Sequence, residues 1–480
     1  MKPPPPASLR CATSLGLAAL LAACSAWAPR EHTTALHGLV VPAAWATSAD
    51  DEDTTAQAPA AWWLRFGDPL LAQLAAQAVQ ANTRVQTAQA ALRQARALRD
   101  AGEAAVGPTL DLSAAAQRGR AGDAPATNRF DIGLDGGLEL WPDRSGLQAS
   151  EASARARAAS LADVQVAIAT ELGLAYIDLR SSQARLRMAQ AGLDSQLQTL
   201  QIVQWRQQAG LVTQLEHEQA LAAVAQTRAQ LPLLRTRIDQ GAHAIAVLTG
   251  QSPGALRAQL AQPGVLPVAE RGLALSLPAD TLRQRADVRA AELDVQAAFS
   301  RVDQADAARR PRLRLGGSLG LGALTLGALG SSGALAASVL GSVAWPVFDS
   351  GAAQAQVRVQ QAAYDSARVQ YQATVLAALL GVENTLVSLR DHRAQLLQLQ
   401  QAAGAAGRAA KLARQRFGSG LVDFQTVLDT QRNELSTQDA VASAQADISA
   451  DHMRLFQALG GGWTPDTPPA APADTRAGPP

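Results

Sequence analysis

The sequence has few aromatic residues, few charged residues and almost no cysteine. Aromatic residues make up 4% of its 480 residues, charged residues 17%, and the formal net charge is only +1. A chain with so little excess positive charge lacks the basic face that a nucleic-acid partner would need. No nucleophile and base stand in a recognisable pairing, so we expect that the protein is not an enzyme. Ala, Gln and Leu dominate instead, which is typical of long helices packed through small side chains.

The two cysteines, Cys11 and Cys24, both lie near the N-terminus. The apolar run from Cys11 to Ala23 follows a basic start and is too short to remain across a bilayer, which is typical of an export signal. Its end, Leu21-Ala22-Ala23-Cys24, resembles the processing site of bacterial lipoproteins. We therefore predict a signal peptide at 1–23 and covalent diacylglycerol and N-acyl lipid on Cys24, with no other cofactor. The alternative is a plain signal peptide cut at an Ala-x-Ala site, with Cys24 incidental.

Two stretches without helical periodicity flank the remainder. Residues 24–60 are rich in Ala, Thr, Asp and Pro, and we predict a lipid-anchored tether there. Residues 463–480 are rich in Pro and Ala, and we predict that this tail is disordered.

An internal repeat organises the chain between these stretches. Gly210-Leu211-Val212 recurs about 210 residues later as Gly420-Leu421-Val422. Self-similarity at a fixed spacing indicates duplication. We predict repeat 1 at 61–255, a joint at 256–278 and repeat 2 at 279–462.

Each repeat is predicted to end in a long helical hairpin, at 146–250 and 351–460. Leucines recur every seven residues in the first hairpin, which predicts coiled-coil packing: Leu172, Leu179, Leu186 and Leu193. Pro232 is expected to interrupt and kink the second helix of that hairpin. In the second turn, Gly418 and Gly420 are expected to break the helix, and Asp423 to cap the next one.

Each repeat also contains two segments of period two, which follow a helix. The first such helix is predicted from the cap Asp68 to about Glu103. Strands are predicted at about 108–117, 129–141, 312–322 and 334–345. Apolar side chains alternate with Asp, Gly and Glu most clearly in the second strand: Phe130, Ile132, Leu134, Leu138 and Leu140. This alternation suits a membrane barrel, although an amphipathic hairpin on a soluble sheet would show it too. Four strands cannot close a barrel, so membrane insertion would require several copies.

Six motifs, in this order along the chain, carry a resemblance to a known family. They are Trp62-Trp63-x-x-Phe66-Gly67-Asp68-Pro69-Leu70, Gln230-Leu231-Pro232, Ala246-Val247-Leu248-Thr249-Gly250-Gln251, the segment from Leu277 to Glu292, Trp345-Pro346-Val347-Phe348-Asp349-Ser350-Gly351, and the segment from Leu421 to Arg432. Together they resemble the TolC/OprM-type outer-membrane efflux proteins, and specifically the lipoprotein branch often labelled NodT.

The resemblance implies a mainly α fold with a membrane β part. Duplicated long helical hairpins would form an α-barrel, and four strands per chain would contribute to a trimeric 12-stranded β-barrel. The homotrimer would be the exit duct of a tripartite efflux pump for drugs or other small molecules. Its partners would be a periplasmic adaptor protein, an inner-membrane transporter of the RND type and outer-membrane lipid. The chain would be lipid-anchored in the cell outer membrane, with a large periplasmic extension.

The resemblance also implies a constriction at the periplasmic end, where aspartates of the hairpin helices meet. Asp429 matches one aspartate of that constriction, whereas Thr426 stands where TolC-like members have a second. Asp423 and Thr426 are therefore candidate neighbours of a ring formed by Asp429. The alternative is that Asp429 is an ordinary carboxylate in the first turns of a helix, favourable to its dipole. The candidate adaptor-docking residues are those of the two turns: Gly210, Leu211, Gly418, Gly420 and Leu421.

Two other functions remain open at this point. A lipid-anchored periplasmic coiled-coil adaptor or scaffold would also use long helical hairpins, but it would need no alternating strands. A type I protein-secretion duct would share the trimeric architecture. The lipoprotein site favours small-molecule efflux over protein secretion only modestly.

Overall fold

The computed structural model describes residues 41–46, 62–120, 122–123, 125–262, 264–269 and 278–461. All of them belong to one compact unit, Leu39–Pro480. The predicted signal peptide, Cys24 and the predicted disordered tail lie outside the described residues. The fold is mostly helical with one four-stranded antiparallel sheet, as the fold class derived from the resemblance predicted.

Repeat 1 begins with a short 3-10 helix, Trp62–Phe66. Its further elements are α1 (Pro69–Ala81), α2 (Thr83–Ala105), β1 (Thr109–Gly119), β2 (Thr127–Glu139), α3 (Ser145–Gln208) and α4 (Gln214–Leu248). The segment between the repeats contains one short helix, α5 (Arg257–Leu260).

Repeat 2 has the same order of long elements. They are α6 (Pro278–Gln284), α7 (Ala286–Ala307), β3 (Arg312–Ala323), β4 (Leu335–Ala344), α8 (Ala352–Gly418) and α9 (Phe424–Ala458), with a 3-10 helix at Leu326–Gly330 in the β3–β4 connection. At 1.5 Å per residue, α3 and α8 are each roughly 100 Å long.

Helix α3 is the central element of the helical body, because it packs against α1, α2, α4, α7 and α9. The N-terminal part of α3 is buried through small side chains, as the composition predicted: Ala149, Ala152, Ala154, Ala156 and Ala159. Farther toward the C-terminus of α3, the predicted leucine seam is buried at Leu172, Leu179 and Leu193. Small side chains allow close approach of helix axes, so that five helices can pack around this one.

The first motif of the resemblance forms part of the main hydrophobic core. Trp62 is fully buried and its ring stacks on Phe456 of α9, with centroids 5.1 Å apart. Asp68 caps α1, and its Oδ2 accepts a hydrogen bond of 2.7 Å from the Tyr176 hydroxyl of α3. Burial, with that hydrogen bond as the second cause, raises the pKa of Tyr176 to about 12. The phenol therefore remains a donor at neutral pH and ties the start of the chain to the central helix.

The prediction of one helix from Asp68 to about Glu103 is wrong. The helix divides at Asn82, whose Oδ1 accepts from the backbone N–H of Arg84 at 2.8 Å and so caps α2. The amide group of Asn82 also donates to the carbonyl oxygen of Leu248, the last residue of α4, at 2.9 Å. One buried side chain thus satisfies two helix ends, which offsets the hydrogen bonds lost at the break.

The predicted interruption at Pro232 does not occur. Helix α4 runs from Gln214 to Leu248 with Pro232 inside it. Pro232 lies on the exposed side of the helix. Water can therefore hydrate the carbonyl group that a proline leaves without a donor.

Parts of the predicted tether and joint are docked on the helical body. In the tether, Trp45 packs against the main core, and the N–H of Ala46 donates to Oε1 of Glu383 at 2.7 Å. In the joint, Arg180 and Gln183 of α3 donate to the carbonyl oxygens of Gln262 and Leu260, each at 2.7 Å. Described residues of both stretches are therefore structural elements and not free connections.

The strands form one sheet in the order β1-β2-β3-β4, with β1 and β4 at its edges. Paired residues of neighbouring strands share a face, because side chains alternate along each strand. The register puts apolar side chains on one face of all four strands: Leu110, Leu112, Ala114 and Ala116, then Phe130, Ile132, Leu134 and Leu138, then Leu315, Leu319, Leu321 and Ala323, then Leu335, Ala337, Val339 and Val343. The predicted period-two pattern is thus found in β1, β2 and β3.

The opposite face is polar on β1, β2 and β3 and mixed on β4, where Leu340 lies between Ser338 and Ser342. One row across it consists of Asp111, Asp135, Ser318 and Ser338, and another includes Glu139, Arg314 and Ser342. Such a sheet is apolar on one side and wet on the other, which is the division that a strand between lipid and water requires.

Candidate functional site

The two hairpin turns have the same backbone. Gly210 has φ 71° and Gly420 has φ 74°. In the first turn Leu211 N–H donates to the Arg206 carbonyl at 2.8 Å, and in the second Leu421 N–H donates to the Arg416 carbonyl at 2.9 Å. These are Schellman closures, in which the residue of positive φ needs to be glycine.

The two glycines that were expected to break the helix do so in different ways. Helix α8 includes Gly418, and only Gly420 adopts the left-handed conformation. The Leu211 and Leu421 side chains that follow the two glycines are 67% and 74% exposed. Both turns therefore present a leucine at the end of the helical body.

The helices that follow the turns are capped by different residues. In the first turn, Oε2 of Glu216 accepts a 2.6 Å hydrogen bond from the Thr213 backbone N–H. In the second, Oδ1 of Asp423 accepts from the Thr426 backbone N–H at 2.9 Å and from the Thr426 hydroxyl. The Thr426 hydroxyl, with its backbone N–H second, lowers the pKa of Asp423. Asp423 and Thr426 are thus engaged with each other as a helix cap.

Asp429 lies on an exposed stripe of α9, one and a half turns after the cap. Its side chain is 60% exposed. Gln425 donates to its Oδ1 at 3.0 Å, whereas Nη1 of Arg432 is 3.9 Å away, at the limit of an ion pair. An exposed pair at that distance contributes little to stability. The Asp429 carboxylate therefore remains open to solvent on the side of α9 that faces away from its own chain.

The opposite side of α9 is buried in a second hydrophobic cluster at the hairpin end. From α9 the cluster includes Phe424, Val427 and Leu428. Phe424 packs against Phe417 of α8 with ring centroids 5.5 Å apart. Arg206 of α3 donates to the Phe417 carbonyl, and its guanidinium carbon lies 4.5 Å from the centroid of the Phe417 ring. The end of the second hairpin is thus fastened to the first hairpin.

Three further polar links join α3 to the second hairpin. Arg185 and Asp439 form a two-pronged ion pair with distances of 2.5 and 2.8 Å. Gln431 donates to the Thr199 hydroxyl at 3.0 Å, and Arg414 donates to the Ser195 hydroxyl. The sequence analysis did not identify these links. The partners are more than 200 residues apart, and each is an ordinary polar residue of an amphipathic helix.

The structure brings the candidate aperture and turn residues together at one end of the second hairpin and places the Gly210 turn beside them through Arg206. In the described part of the chain, no group of three His, Cys, Asp or Glu residues could hold a metal ion. Cys24, the predicted lipidation site, lies outside the described residues.

Comparisons with known proteins match this architecture. The family model described as outer membrane efflux protein matches residues 74–251 and 277–461. The pyoverdine export outer membrane protein OpmQ of Pseudomonas putida is 31% identical over 455 residues, which cover 90% of this chain and 94% of that protein. Nodulation protein T of Rhizobium leguminosarum bv. trifolii is 27% identical over 413 residues, covering 84% and 88%. The solved outer-membrane channel OprN superimposes with a TM-score of 0.83 and 33% identity, covering 91% of this chain and 99% of that one.

Proposed function

The chain belongs to the outer membrane efflux protein family and is an outer-membrane efflux channel, and from that premise we propose that three copies form the exit duct of a tripartite pump. The resemblance drawn from the six motifs is thereby confirmed. The duct is passive, and the energy for export comes from the pump to which it is attached.

The open sheet is the observation that supports assembly from several copies, and the number three is the one that the family resemblance implies. Its apolar face is continuous over four strands, yet β1 and β4 each pair on one side only. Unpaired strand edges are not tolerated in lipid, and closed barrels need about eight strands or more. Pairing β1 of one copy with β4 of the next removes every edge, and three copies supply twelve strands. A periplasmic scaffold would have no need of this face.

We propose that Asp429 forms the aperture of the duct. In a threefold assembly the exposed stripe of α9 faces the axis, and three carboxylates meet there. In each chain Gln425 donates to this carboxylate at 3.0 Å, and Arg432 lies 3.9 Å away. Such a ring attracts cations and repels anions. Asp423 caps the N-terminus of α9 and so supports this end of the helix. Thr426 donates both of the hydrogen bonds that Oδ1 of Asp423 accepts.

We propose that the two turns dock the periplasmic adaptor, which connects the duct to an inner-membrane transporter. Gly210 and Gly420 fix the shape of the turns, Gly418 ends α8, and Leu211 and Leu421 provide exposed apolar contacts at the tip. Exposed apolar residues on a rigid turn are suited to a partner. The cargo is a small organic molecule chosen by the transporter, in line with the relative named for pyoverdine export. A lipid on Cys24 would fasten the trimer to the inner leaflet of the outer membrane.

The test is single-channel conductance in planar bilayers with the purified trimer and its Asp429→Asn variant. We expect small, cation-selective currents for the unmodified protein, and larger and less selective currents for the variant. Asp447→Asn is the matched control, because Asp447 is an exposed carboxylate farther along the same helix.

Currents that respond equally to both substitutions would exclude Asp429 as the aperture and leave the duct intact. A folded protein that forms no pores in any bilayer would contradict the duct itself and favour the scaffold.

A further inference from the structure

The outer end of the β1–β2 hairpin carries two arginines directly beyond the apolar face of the sheet. Along β2, the apolar face extends from Leu138 to Phe130, eight residues or about 27 Å of strand. With the usual tilt of barrel strands, this corresponds to roughly 20 Å of height, close to the apolar band of outer-membrane barrels. The next pair on the same face, after Ala116 and Phe130, is Arg118 and Asn128.

Arg118 therefore lies at the height of the lipid headgroups and not of the hydrocarbon. Two residues of tilted strand raise it about 5 Å above Ala116. Arg120 follows two residues later, and both side chains are exposed. Charges at this depth cost little in a barrel, whereas at the bilayer midplane an arginine costs several times more.

In the part of the chain that the structure describes, no ion pair explains either arginine. Among the described residues, no acidic side chain forms an ion pair with Arg118 or Arg120, and Asp123 is unpaired too. By contrast, Arg129 belongs to the opposite, water-facing face and is paired with Asp131 at 2.9 Å. On the β1–β2 hairpin, the water-facing Arg129 is thus paired, whereas Arg118 and Arg120 have no counter-ion among the described residues.

The two rims of the apolar face differ in chemistry. The rim next to the helices carries exposed aromatic residues: Trp141, Trp345 and Phe348. The outer rim carries Arg118 and Arg120 on one hairpin and no charged residue between Thr325 and Ala334 on the other. Aromatic side chains are suited to an ordinary membrane interface, whereas guanidinium groups bind phosphate through paired donors.

We propose that Arg118 and Arg120 of each chain bind the phosphate groups of a phosphorylated lipid in the outer leaflet of the outer membrane. The proposal rests on the proposed function to the extent that the sheet must close into a trimeric barrel across that membrane. The complementary charge and the continuity with the lipid-facing band both select lipid as the occupant. Three equivalent sites, one per chain, follow from the symmetry.

The test compares binding of lipid A, a phosphorylated glycolipid, with that of uncharged phosphatidylcholine to the purified full-length trimer by native mass spectrometry. We expect up to three lipid A molecules per trimer. The Arg118→Gln/Arg120→Gln variant should bind lipid A about 30-fold more weakly, given roughly a fivefold effect for each basic residue near an anionic lipid surface. Arg129→Gln is the matched control, and it should bind lipid A as the unmodified protein does.

Equal binding of lipid A by the double variant, or no preference of the unmodified protein for lipid A over phosphatidylcholine, would overturn the proposal. If the double variant does not assemble, the salt dependence of lipid A binding by the unmodified protein is the test. Raising NaCl from 0.05 to 0.5 M should weaken this binding several-fold. Binding that does not change with salt would contradict the proposal. Pore conductance of the same preparations tests the duct separately. A conducting variant with normal lipid binding rejects the arginine site alone.

Discussion

The two hairpin turns share their backbone but not their surroundings. Both close on a glycine of positive φ, at Gly210 and Gly420. At an offset of 210 residues, Phe417 and Phe424 of the second hairpin correspond to Gln207 and Gln214 of the first. The phenylalanines are buried and pack against each other, whereas Gln207 and Gln214 bond to each other in an exposed position.

The ends of the two hairpins therefore differ in how firmly they are packed. The end of the second hairpin is fastened by a buried aromatic pair, and Asp429 follows on the exposed stripe of α9. The corresponding residue of the first hairpin is the half-exposed Gln219. The two turns thus share their geometry, which depends on backbone conformation, while their side chains differ: one end has a buried aromatic pair and the other an exposed polar pair.

The largest difference is expected at the aromatic pair. Phe424→Ala removes a side chain that is 1% exposed, which typically costs about 3–5 kcal/mol. Local opening of the first turns of α9 should become more than 100-fold more frequent. Hydrogen exchange followed by mass spectrometry on the trimer measures this.

Gln214→Ala is the matched control at the equivalent position. It should change exchange at the start of α4 by less than about threefold, because its partner Gln207 stays hydrated. Similar effects of the two substitutions would contradict the division into a buried and an exposed turn.

A smaller difference is expected between two corresponding arginines. Arg206 donates to the Phe417 carbonyl and lies over its ring, whereas Arg416 is exposed. Arg206→Ala should cost about 2 kcal/mol, the sum of a charged hydrogen bond and a cation–π contact, and so loosen both turns roughly 30-fold in hydrogen exchange.

Arg416→Ala should leave the protection of both turns nearly unchanged. If Arg416→Ala loosened the turns as much as Arg206→Ala, general charge and not the specific contact would hold the hairpins together.

The smallest effect concerns pH at the second cap. Hydrogen bonds from Thr426 lower the pKa of Asp423 below its usual value of about 3.9. A carboxylate with a lowered folded-state pKa stabilises the fold above the unfolded-state pKa and loses that contribution as pH falls through the folded-state value. Exchange at the start of α9 should therefore accelerate a few-fold as pH falls below about 4, after correction for intrinsic rates.

Asp423→Asn sharpens this test, because asparagine also caps helices but does not titrate in this range. The variant should retain its cap and lose the acid-dependent step. The first turn, capped by Thr213, depends on Glu216 instead and provides the internal comparison. An unchanged acid step in the variant would assign the titration to another group.

Local features of the fold were predictable from the sequence. The alternation in β2, the leucine seam of α3 and the glycine of each turn depend on short-range spacing, and each is found where it was predicted. The helix division at Asn82 was missed because asparagine is compatible with an exposed position of a continuous helix. Only the approach of the Leu248 carbonyl, 166 residues away, makes it a junction of two helix ends.

For the candidate site too, local residues were predictable from the sequence, whereas contacts between distant residues were not. Motifs and the resemblance identified four candidate residues: Gly210, Gly420, Asp423 and Asp429. The structure shows that Asp423 is the aspartate that caps a helix. It also supplied the links of Arg206, Arg185 and Gln431 across the hairpins. No period or motif identifies such partners, because an arginine on an amphipathic helix is equally compatible with solvent.

The sequence by itself thus determined the period of each segment, the turns and the division of the sheet into an apolar and a polar face, since all of these follow from backbone geometry and the spacing of side chains. Only the tertiary structure decided which of two equivalent turns is buried, which carboxylate remains open and which arginines have no partner. Those outcomes depend on contacts between residues that are distant in the chain, and their free energies come from burial and desolvation that arise only when the helices pack.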